Sequence, residues 1–199
     1  LLDRLTDAGV KGVAFDILLA EPDRADVAGD EALARAIRRS GKAVLPVIME
    51  ASPGGQLREV APAPIFATGT AAVGHVHIEL DADGIARSLY LREGLAGGER
   101  QYLHLAAALA ALDPKGAGEL PGQRRGSATD NQKGLWLRDH WVHIAFLGPH
   151  GAFTTLSITP RLPGPWTSAW LARTSVVVAD PADDRRNNCA TTLSSIAPP

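Results

Sequence analysis

Two nearly continuous apolar runs, Val13-Ala14-Phe15-Asp16-Ile17-Leu18-Leu19 and Ala43-Val44-Leu45-Pro46-Val47-Ile48-Met49, enclose a segment of helical periodicity. Runs of this kind, without polar alternation, are strands covered on both faces, the habit of parallel sheets. Between them Asp30 can cap a helix whose Leu33, Ala34 and Ile37 make the core stripe, with Arg38-Arg39 at its negative end and Gly41 as a left-handed stop. Helix and strand alternate, so helices must cover a sheet. Pro46 removes one ladder donor and predicts an edge or a bulge in the second run.

The rest of the chain extends this pattern. Leu1, Leu2 and Leu5 share one helical face that ends at Gly9. Residues 52–64 form a Pro/Gly loop, 65–72 a short helix closed by Gly74, and 75–92 a hairpin. Residues 102–112 are Ala/Leu-rich and predict a helix. The polar, Gly-rich stretch 113–134 is too long for an ordinary connection and is expected to be mobile. Apolar strands at 135–137 and 141–146 flank Arg138-Asp139-His140 as a second hairpin. A helix at 166–172, entered through Pro165, and a buried strand at 175–179 follow, and 180–199 carry no periodicity. The expected fold is an α/β layered helix–sheet–helix domain over 1–199, with a sheet made mixed by two hairpins.

Composition narrows the function. Lys+Arg 20 against Asp+Glu 22 gives a formal charge of −2, without the basic excess of a nucleic-acid footprint. Cys189 alone cannot form an intramolecular disulfide or a thiolate metal cage. No run approaches the 18 or more apolar residues of a membrane span. Leu rather than Met at position 1 marks the chain as a piece of a longer protein, so any membrane anchor is expected outside it.

Several side chains could carry chemistry. In His75-Val76-His77-Ile78-Glu79-Leu80-Asp81, period-2 alternation places His75, His77, Glu79 and Asp81 on one face. Such a row could ligate zinc through His75, His77 and Asp81, although it also reads as a strand with one solvated face. Asp81-Ala82-Asp83-Gly84 resembles the start of a calcium loop, but Ile85 and Arg92 fall where the fifth and twelfth ligands belong. It reads better as a hairpin turn. Arg87 shares a face with Ile85, Leu89 and Leu91 and needs an anionic ligand or an acidic partner, with Asp81, Asp83 and Asp16 as candidates. Asp16 lies toward the carboxyl end of an apolar strand, where open α/β sheets place their crevices. Asp16 and Arg87 are therefore the expected ligand-binding residues. No serine elbow, phosphate loop, paired Cys-x-x-Cys or H-E-x-x-H motif is present.

The run Ala8-Gly9-Val10-Lys11-Gly12-Val13-Ala14-Phe15-Asp16-Ile17, then Asp30-Glu31-Ala32-Leu33-Ala34-Arg35-Ala36-Ile37 before Val44-Leu45, resembles the second type of CHASE domain. The name stands for cyclase/histidine-kinase-associated sensory extracellular. The likeness continues through Gly74-His75-Val76-His77, Asp81-Ala82-Asp83-Gly84-Ile85-Ala86-Arg87 and Gly148-Pro149-His150-Gly151-Ala152-Phe153-Thr154-Thr155-Leu156-Ser157, covering about positions 1 to 160. After Leu171 the family's glycine-rich turn is replaced by Asp180-Pro181-Ala182-Asp183-Asp184. The family also opens with a further strand and aromatic loop ahead of the helix that begins this chain.

The resemblance implies an extracytoplasmic input module of a bacterial transmembrane receptor, anchored by segments outside this chain and coupled to a histidine kinase or nucleotide cyclase. It implies no catalytic residue and no cofactor. The implied signal is a small ligand or periplasmic partner that shifts a two-state homodimer. Two other readings stay open: a metal-assisted hydrolase using His75, His77 and Asp81, and a structural dimerisation module.

Overall fold

The computed structural model describes residues 1–53, 57–95, 101–115, 117–124, 136–146, 148 and 175–179. Helix α1 (Leu2–Asp7) stops at Gly9, which adopts φ 82°. Strand β1 (Gly12–Asp16) follows, shorter than the apolar run predicts. Helix α2 (Val27–Ser40) is capped by Asp26, whose side chain accepts from the Gly29 N–H at 2.9 Å, and Asp30 instead sits in the first turn. It closes at Gly41, φ 58°, as the sequence predicts. Strands β2 (Ala43–Ala51) and β3 (Leu57–Val60), helix α3 (Pro64–Ala67) and strand β4 (Ala72–His75) come next.

The chain then makes β5 (Glu79–Leu80), β6 (Ala86–Leu95), β7 (Gln101–His104), helix α4 (Leu105–Ala110), β8 (Trp136–His143) and β9 (Ser175–Ala179). Among the described residues the sheet has nine strands. Strands β9, β1, β2, β4 and β7 run parallel in that order, and β6 joins β7 antiparallel. Because β8 pairs along β6 from Ser88 to Leu95, β5 and β7 line up end to end on the other side of β6. The mixed α/β sheet is the one expected.

Its two faces are read directly from the strand period. Val13, Phe15, Ala43 and Leu45 point into a core with Leu2, Leu5, Ala34, Ile37 and Phe66 of α1, α2 and α3. Ala14 and Val44 point the other way, against Leu105, Ala108 and Leu109 of α4. The layers are thus helix, sheet, helix. Glycine lets α4 come this close: a Cβ on Gly74 would sit 2.7 Å from the Leu105 Cα.

Three expectations are corrected. Pro46 lies in an interior strand, opposite Gly74 of β4 and beyond the β1–β2 pairs Val13↔Ala43 and Ala14↔Val44. Residues 102–104 are strand rather than helix, since pairing with β4 and β6 overrides the helical bias of an Ala/Leu-rich stretch. The second hairpin does not form: Arg138-Asp139-His140 runs on as part of β8, with His140 at φ 59°. The hairpin-like pairs are instead β2–β3, β5–β6 and β6–β7. Within 113–134, Gln123 bridges Trp141 and the Pro121 carbonyl meets His140 Nδ1 at 3.0 Å. The expected helix at 166–172, the tail 180–199 and most of the segment 148–157 lie outside the described residues.

Candidate functional site

Parallel strands end together, and their carboxyl ends are where open sheets hold ligands. Here β4 ends at His75 and β7 at His104, which are partners in register, and their rings meet edge to face with centroids 5.2 Å apart. Both are buried, His75 completely and His104 to 5% exposure. Just past β4 the backbone leaves the sheet for 76–78, so the row His75 to Asp81 is not one strand. That break brings the His77 ring back over His75, with centroids 5.6 Å apart.

The acid of the site comes from elsewhere. Glu93, 1% exposed, lies on β6 opposite Tyr102 and Arg138. Its carboxylate meets His77 Nδ1 at 2.6 Å, accepts from Trp136 Nε1–H at 2.7 Å, and forms an ion pair with Arg138 Nε at 3.3 Å. Arg138 also bonds Glu79 at 2.9 Å and lies over the Tyr90 ring. Burial alone would raise the Glu93 carboxyl, but the hydrogen bonds from His77 and Trp136 outweigh it and hold it below the usual carboxylate range. It is a buried anion.

The same bonds fix a tautomer. His77 Nε2 accepts the Met49 N–H at 3.2 Å, so the ring proton sits on Nδ1 and faces Glu93. His104 Nδ1 accepts the Ala106 N–H at 3.3 Å and caps α4. His75 differs from both: among the described residues neither of its ring nitrogens has a hydrogen-bond partner. Burial pushes His75 down to about 3, opposed by the Glu93 charge and helped by His104, His77 and Arg138. It pushes His104 down to about 4, opposed by Glu93 and helped by His77. At neutral pH both are uncharged.

His75, His77 and Glu93 each offer a donor atom, and these atoms all lie within 4.8 Å of one another. The expected third ligand, Asp81, is not among them. It is engaged at the β5–β6 turn, where Arg87 bonds Asp81 at 2.7 Å and Asp83 at 2.9 Å. Arg87 is half exposed rather than on an apolar face, and its two acidic neighbours raise its pKa. Asp16 is also exposed, at the carboxyl end of β1. Four strand spacings separate β1 from β6, about 19 Å at ~4.8 Å each, so Asp16 and Arg87 do not line one small pocket.

Sequence reasoning found His75 and His77 but missed Glu93, His104, Trp136 and Arg138. Glu93 had a usable signal, since the alternation Ile85, Arg87, Leu89, Leu91 carried two residues further reaches it.

The profile of the CHASE2 domain matches residues 1–184. The chain belongs to the CHASE2 family. No curated protein and no solved structure matches it. The family match runs past position 160, so the altered turn after Leu171 does not remove the chain from the family. CHASE2 domains are extracellular sensor domains of signalling receptors, generally noncatalytic. Among the described residues of this CHASE2 domain, no helix is long and apolar enough to cross a membrane.

Proposed function

We propose that this CHASE2 domain is the noncatalytic extracytoplasmic input module of a bacterial transmembrane receptor, with a histidine kinase or nucleotide cyclase as output. Membership of a sensor family over 1–184 is the observation that carries this reading. A small ligand or periplasmic partner, bound with different affinity by two states of a homodimer, shifts their balance and so the output. The reading is supported by the placement of the unusual polar groups. They gather at the carboxyl ends of β4 and β7, where an α/β sheet holds ligands.

The test uses the full-length receptor in cells, with output measured while the medium outside the membrane is varied in small molecules, ions and pH. The expected result is an output that responds to at least one of these and loses that response when residues 1–184 are replaced by an inert domain. An output that is equally responsive after the replacement overturns the proposal. So does a purified domain that turns over generic esters or phosphates.

A further inference from the structure

We propose that His75, His77 and Glu93 form a binding site for one divalent transition-metal ion of the zinc class. Two imidazoles and a carboxylate are a donor set that zinc takes readily, with the fourth position left to water. Their donor atoms lie within 4.8 Å of one another, on three segments held by the sheet: the end of β4, the turn after it, and β6. Calcium and magnesium, which select oxygen ligands, fit this set poorly.

The decisive residue is His75. A fully buried imidazole carries one donor and one acceptor, and both are without a partner here among the described residues. Buried polar groups are otherwise almost always satisfied, so an orphan pair of this kind points to a missing ligand or ion. Glu93 supplies the charge, a buried carboxylate that a cation would neutralise.

The surroundings are those of a metal site as well. Trp136 Nε1–H and Arg138 fix the carboxylate, in the way that outer hydrogen bonds orient metal ligands. Access is through His77, which is 21% exposed. Binding requires small movements. Tetrahedral bonds of about 2.0–2.1 Å set donors about 3.3 Å apart, so the 2.6 Å contact of His77 Nδ1 with Glu93 opens while the wider separations close.

The proposal does not depend on the sensory reading, because binding is measured on the protein itself. The tag-free chain is treated with chelator, dialysed against ZnCl2 or CoCl2 alone, and analysed for bound metal, cobalt absorption and thermal stability. The expected result is one ion per chain, a visible Co(II) spectrum of low coordination number, and a melting temperature that rises with free zinc. H75Q and E93Q each weaken binding more than 100-fold, W136F weakens it about 10–100-fold, and D81N and H143Q leave it unchanged. Wild-type protein that takes up no stoichiometric zinc or cobalt overturns the proposal, as does binding that survives in H75Q. Should E93Q fail to fold by circular dichroism, H75Q and the wild-type cobalt spectrum still decide.

Discussion

Replacing Glu93 tests the centre of the site most directly. Its carboxylate is the acceptor for His77 Nδ1–H and Trp136 Nε1–H, at 2.6 and 2.7 Å, and it is 1% exposed. In Glu93→Ala both donors lose their acceptor away from bulk water, at about 1–3 kcal/mol each. The truncated side chain adds about 1 kcal/mol of lost packing. The Arg138 contact is discounted, because that side chain is 39% exposed and can turn to water. A loss of about 4 kcal/mol is expected, a large share of the 5–15 kcal/mol that holds a domain folded. Both donors meet the same oxygen, Oε2, so the amide oxygen of Glu93→Gln can keep both bonds; only their charge assistance and the Arg138 ion pair are lost, and the variant should lose about 1 kcal/mol. Urea unfolding at pH 7.5 in the presence of chelator measures each variant. Combining Glu93→Ala with Trp136→Phe closes a cycle, since phenylalanine has no donor to strand, and a coupling of about 1 kcal/mol or more is expected. If Glu93→Ala loses less than about 1 kcal/mol, or the cycle shows no coupling, the carboxylate does not hold these donors and the account of the site is wrong.

Metal-free protein should lose stability as pH falls below about 6.5. The folded His75 and His104 values, about 3 and about 4, lie under the ordinary 6.5, so between these limits the unfolded chain binds more protons and stability falls with pH. At pH 5 the loss is roughly 2 kcal/mol per histidine. The groups facing them are Glu93, His77 and Arg138, and Glu93, itself held low, adds a loss only nearer its own titration. Denaturation curves from pH 7.5 to 5 that do not shift would refute this. Gly74→Ala should destabilise by about 1–3 kcal/mol, because its Cβ meets the Leu105 backbone at 2.7 Å. Gly41→Ala has open space and bears only the cost of φ 58°, about 1 kcal/mol. Urea midpoints for the pair should separate them, with Gly74→Ala the lower. Arg87→Ala, by contrast, should leave the melting temperature close to wild type, since its ion pairs are exposed; a large drop would mean that the β5–β6 turn bears structural weight.

The parallel half of the sheet was legible because its signals are local. Val13 to Phe15 and Ala43 to Leu45 are apolar on both faces, and both faces are covered. Gly41 stops α2 because only a left-handed residue releases the chain there. Reading failed where distant pairing decides. Residues 102–104 become strand through β4 and β6, and 138–140 stay in one strand because β6 holds them, neither of which a local window contains. The site divides the same way. His75 and His77 stand out as neighbours in sequence, whereas Glu93, Trp136 and Arg138 join them only through the β6–β8 ladder. Asp81 was a reasonable third ligand by spacing, and the break at 76–78 is what withdraws it.

The placement of β9 bears on how the chain reaches this structure. Gly12 to Asp16 pair with Ser175 to Ala179, segments about 160 residues apart, and that pairing completes the flank of β1 away from β2. During synthesis or export, α1, β1, α2 and β2 emerge long before their last neighbour. Until it arrives, β1 presents a row of unpaired amides and carbonyls on an apolar strand, the kind of edge that captures other chains. The domain's exposure to aggregation is therefore set by how long it waits for five residues near its far end.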